Sequence, residues 1–64
     1  MDNEFIRRLN IRLARAKREY ETMLERERMQ FGTANYDPFR IAYLEDALDD
    51  VEYILDALSK MNTE

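Results

Sequence analysis

The only glycine and the only proline of this 64-residue chain fall within one short stretch, Phe31-Gly32-Thr33-Ala34-Asn35-Tyr36-Asp37-Pro38. The rest is dominated by good helix formers, so the chain has one place to break and two long segments with no internal stop. Gly32 suits the position just past a helix end, where a left-handed backbone closes the helix without a Cβ clash. Asp37-Pro38 reads as the next helix start. Proline at the first helical position gives up an N–H that would have no partner there, and an aspartate before it accepts from the free amides of the first turn. Proline also pushes the preceding residue out of the α region, as a cap requires. The chain is therefore predicted to be all-α and a single domain: a helix over about residues 3–31, a loop over about 32–37 and a helix over about 38–61. At 1.5 Å per residue these helices are about 43 and 36 Å long, and so short a loop returns the second antiparallel to the first.

Apolar periodicity supports both helices. Phe5, Ile6, Leu9, Leu13, Ala16, Tyr20, Met23, Leu24 and Phe31 recur mostly at threes and fours, one face about 100° wide. In the second segment Ile41, Leu44, Leu48, Val51, Leu55 and Leu58 form an unbroken 3-4-3-4-3 series, a heptad seam. Tyr43, Ala47, Ile54 and Met61 lie beside it and widen the stripe to about 160°. One antiparallel neighbour covers a narrow seam, whereas a stripe this wide suits a helix with two neighbours, as in a four-helix bundle.

Size points the same way. A chain this short sits near the lower limit of independent folding and usually needs a disulfide, a metal or a partner. It contains no cysteine and no histidine, which excludes disulfides and the usual zinc ligand sets and leaves oligomerisation. The expected assembly is a homodimer of hairpins forming a four-helix bundle, with Leu44, Leu48, Val51, Ile54, Leu55 and Leu58 as its core. Catalysis has little to work with. The commonest general bases and nucleophiles are missing, Ser59 is the only serine, and no glycine-rich phosphate loop exists. The reading is of a non-enzyme without a cofactor. No apolar run reaches the ~18–20 residues of a membrane span, and residues 1–14 lack the apolar core of a signal peptide. A cytoplasmic protein is expected.

Net charge is −4, but its distribution is uneven. Residues 1–31 carry eight Arg/Lys against six Asp/Glu, and residues 32–64 carry two against eight. Glu45, Asp46, Asp49, Asp50, Glu52 and Asp56 crowd the second helix. The i,i+4 pairs Glu45/Asp49, Asp46/Asp50 and Glu52/Asp56 repel. Two readings are open: a solvated face relieved by Arg26/Arg28 beside Glu45 and Asp49 and by Arg15/Arg18 beside Asp56, or a docking face for a basic partner. In the second, Glu45, Asp46, Asp49, Asp50, Tyr53 and Asp56 bind the partner and Tyr53 is the anchor. A divalent-cation site at Asp46, Asp49 and Asp50 lacks a loop to close around it. In the first helix Arg7, Arg8, Ile11, Arg12, Arg15 and Arg18, with Lys17, form a basic stretch. It either flanks the core and keeps it soluble or follows the phosphates of a nucleic acid, with Ile11 as anchor. Glu27 falls near the centre of the first apolar stripe and can escape by bending to water or by meeting Arg40 across the loop. Met29, like Ile11, lies outside that stripe.

The layout resembles that of the Rop family of plasmid copy-number regulators, homodimers of helical hairpins that bind paired RNA loops; the resemblance is one of architecture and transfers no residue roles. Three functions are consistent with this pattern. The first is a regulatory or inhibitory protein that binds a protein partner through the acidic helix or the end of the bundle, in the manner of many small acidic phage and mobile-element products. The second is a Rop-like dimer that binds RNA or DNA through its arginines, and the third is a structural or assembly component.

Overall fold

The computed structural model describes residues 3–62 of the chain, with the side chain of residue 62 left aside. It is an all-α helical hairpin: α1 spans Asn3–Arg28 and α2 spans Pro38–Asn62, packed against each other along their length. The molecule is a rod of 50 × 14 × 13 Å.

The two ends of the loop are built by the residues the sequence marks. Gly32 has φ of 87°, the only positive φ among the described residues. At the other end Asp37 caps α2. Its Oδ1 accepts from the backbone N–H groups of Phe39 (3.0 Å) and Arg40 (3.2 Å), and its carbonyl accepts the first helical bond from Ile41 N–H.

The end of α1 differs from expectation. The regular helix stops at Arg28, three residues before Phe31. Met29 N–H still donates to the Glu25 carbonyl, but Gln30 and Phe31 donate to the carbonyls three residues back, at Glu27 and Arg28. The last turn tightens, as helix ends do when their carbonyls seek partners. Thr33 then organises the loop. Its hydroxyl donates to the Gln30 carbonyl (2.7 Å) and accepts from Asn35 N–H, while its carbonyl accepts from Tyr36 N–H. This turn takes Phe31 out of the apolar stripe. Its ring meets Tyr36 edge-on, with centroids 5.3 Å apart, and is otherwise open to water.

The core is a single seam. Ile6 and Leu24 from α1 and Leu44, Val51 and Leu58 from α2 are buried, and Leu44 is the most enclosed at 1% exposure. Leu9, Leu13, Ala16 and Tyr20 on α1 and Ile41, Ala47, Leu48 and Leu55 on α2 are half-buried beside it. Asn10, half-buried, satisfies its amide by donating to the Ile6 carbonyl. No described helix is long and apolar enough to cross a membrane.

Candidate functional site

Two ion pairs join the helices near the loop, and they fall on opposite sides of the seam. Arg28 reaches Glu45 at 2.9 Å and Arg40 reaches Glu27 at 3.3 Å. Glu27 and Arg28 follow Leu24 by three and four residues, one on each flank of the α1 seam; Arg40, four residues before Leu44, and Glu45, one after it, fall on the two flanks of the α2 seam. The Glu27–Arg40 pair resolves the acid near the centre of the first apolar stripe: Glu27 stays half-buried and meets its counter-charge across the loop.

These pairs divide the surface into two faces and two outer edges. The acidic residues run from the Glu45 face round the outer edge of α2. Glu45, Asp46, Asp49, Asp50, Glu52, Tyr53 and Asp56 are all exposed, and Tyr53 is 78% open in their midst. Of these acids, Glu45 is paired with Arg28, and Asp56 takes Lys60 on its own helix at 3.2 Å. The expected approach of Arg15 or Arg18 to Asp56 is absent among the described residues, as is any ion pair to Asp46, Asp49, Asp50 or Glu52. The arginines of α1 thus leave most of the acidic repulsion unrelieved. No set of three acids among the described residues converges in a way that would hold a metal ion.

The arginines of α1 separate into two groups. Arg7 and Arg8 both turn to Glu4, at 2.6 and 2.9 Å, pairing within the first turns of their own helix. Arg12, Arg15, Lys17 and Arg18 make no ion pair among the described residues. Ile11, Ala14, Arg15 and Arg18 line one shallow depression on the outer edge of α1, which places an exposed isoleucine beside two free guanidinium groups.

The six residues expected at a dimer core fall into three sets. Leu44, Val51 and Leu58 are consumed by the hairpin's own seam, Leu48 and Leu55 are half-buried at its margin, and Ile54 is exposed. A larger concavity, floored by Leu24 and Leu48 and rimmed by Glu21, Glu25 and Arg28, lies on the Arg28–Glu45 face and is open to solvent. Met29 is exposed, as its place outside the stripe implied, but sequence reasoning missed Phe31 and Phe39 beside it at the loop end; all three are at least three-quarters open. Phe39, one residue past Pro38, belonged to no periodic series and gave no signal. The chain matches no protein-family model, no curated protein and no solved structure.

Proposed function

We propose that this hairpin is a small non-enzymatic regulatory or inhibitory protein that binds a basic protein partner through the outer edge of α2. The observation that carries the reading is the state of Asp46, Asp49, Asp50 and Glu52: exposed, spaced to repel one another, and without a cation from α1. In an isolated helix each like-charge i,i+4 pair costs about 0.2–0.5 kcal/mol. A basic partner relieves that repulsion on binding, and Tyr53 supplies an aromatic contact within the charged patch. A charged edge of this kind steers encounter and fixes register more than it adds raw affinity.

Nucleic-acid binding through α1 is the second reading. It rests on Arg15 and Arg18, unpaired and grouped around Ile11. Salt separates the two classes. A contact to duplex DNA weakens with a slope of about −0.9 in log–log units for each phosphate neutralised. For the leading reading, capture of the partner from a host lysate is compared between the wild type and the triple variant Asp46→Asn/Asp49→Asn/Asp50→Asn. The variant is expected to remain helical and to lose the captured protein. Equal capture by both proteins rejects the acidic edge as the binding surface.

A further inference from the structure

The side of the hairpin marked by the Glu27–Arg40 pair carries a row of apolar side chains, interrupted by Arg12 on α1 and Asp50 on α2. On α1, Phe5, Ala16 and Met23 lie on the Glu27 flank of the seam. On α2, Tyr43, Ala47, Ile54 and Met61 lie on the Arg40 flank, at spacings of four, seven and seven. Since one ion pair joins those two flanks, both rows belong to the same face. Five of its side chains remain exposed: Phe5 at 62%, Tyr43 at 66%, Met61 at 52%, Ile54 at 42% and Met23 at 37%. The opposite face, marked by Arg28–Glu45, carries Lys17, Glu21, Glu52 and Asp56 outside its half-buried Ile41, Leu48 and Leu55.

We infer that a second copy of this chain covers the apolar face, so that the two hairpins pair about a twofold axis through Tyr43, Ile54 and Met61 of α2 and Met23 of α1. The area matches. The chain exposes 5465 Å², whereas a compact monomer of its 7.8 kDa exposes about 4,400 Å². The excess, about 1,000 Å², is close to the ~800 Å² per partner that a stable interface buries. The need matches as well. Five buried side chains form a small core for a chain of this length, and no cysteine is present to supplement it. Both helices contribute large side chains toward the ends and an alanine between them, Ala16 on one and Ala47 on the other, where helix axes can approach closely. Pairing here leaves Asp46, Asp49 and Tyr53 on the outer edge of α2 in solvent, with Asp50, three residues after Ala47 and four before Ile54, at the rim of the interface.

Sedimentation equilibrium of the full chain over a micromolar concentration series tests it, with two neighbouring substitutions that point to different surfaces. The wild type is expected to sediment at twice the 7.8 kDa chain mass. Ile54→Lys places a charge in the apolar face and is expected to raise the dimer dissociation constant roughly tenfold or more. Tyr53→Lys, one position along on the outer edge, is expected to leave it unchanged. A folded wild-type monomer throughout the series overturns the proposal, as does a dimer that survives Ile54→Lys or is lost in Tyr53→Lys. Should Ile54→Lys fail to fold, a spin label on Ile54→Cys in this cysteine-free chain replaces it. That label is expected to be immobilised at high protein concentration and mobile on dilution, while one on Tyr53→Cys stays mobile at both. A label at Ile54→Cys that is mobile at every concentration also overturns the proposal.

Discussion

At the scale of single residues, the loop depends on Gly32 and Asp37 for separate physical reasons. A Cβ added at Gly32 would meet nothing within 4 Å, so the cost of replacing it is purely conformational. Gly32→Val is therefore expected to destabilise the hairpin by about 1–2 kcal/mol, the penalty for holding a branched residue in the left-handed region. Thermal melting checks this, and a variant that melts like the wild type shows that the loop closes without a left-handed residue. Asp37 holds two amides through one oxygen. Asp37→Ala should cost about 1 kcal/mol, and Asp37→Asn, which keeps an acceptor in place, only a small part of that. An equal loss in both variants would assign the effect to the charge rather than to the cap. Both residues were legible because each type has one dominant use at its position. Thr33 was not, because its contribution is a pair of hydrogen bonds specific to this loop. The end of α1 was misplaced for a similar reason. Phe31 keeps the helical period in sequence, but the final turn tightens and swings its ring toward Tyr36.

At the scale of the helices, periodicity specified which residues of α2 are apolar but not which neighbour covers each of them. Leu44, Val51 and Leu58 recur at exact heptads and form the centre of the seam, whereas Ile54 belongs to a parallel row left open. The width of the stripe was visible in sequence; its division between two faces needed the position of α1. Leu44 is the most sensitive point of the seam. Leu44→Ala should cost about 2–5 kcal/mol, enough to abolish the cooperative unfolding transition of so small a domain. Circular dichroism during heating reads this directly, and retention of a wild-type melting curve would contradict the seam as described. Ionic contacts were less legible. Arg28–Glu45 and Glu27–Arg40 followed from hairpin geometry, but Asp56 found Lys60 on its own helix instead of an arginine from α1. Long side chains choose among several partners of similar energy, and exposed pairs differ by only a few tenths of a kcal/mol.

At the scale of the whole molecule, the hairpin separates its chemistry by direction: an apolar face, a charged face opposite, a basic outer edge on α1 and an acidic outer edge on α2. No ion pair among the described residues reaches Asp46, Asp49, Asp50 or Glu52, and that is the basis for proposing the acidic edge as the partner's docking surface. The most direct test sets the two edges against each other in one binding assay, using Asp46→Asn/Asp49→Asn/Asp50→Asn on α2 and Arg7→Ala/Arg15→Ala/Arg18→Ala on α1. All six positions are exposed, so both variants should keep the helical content of the wild type. The acidic variant is expected to lose the captured partner and the arginine variant to retain it. Loss confined to the arginine variant, with its helices intact, would reject the acidic edge as the binding surface and assign function to α1.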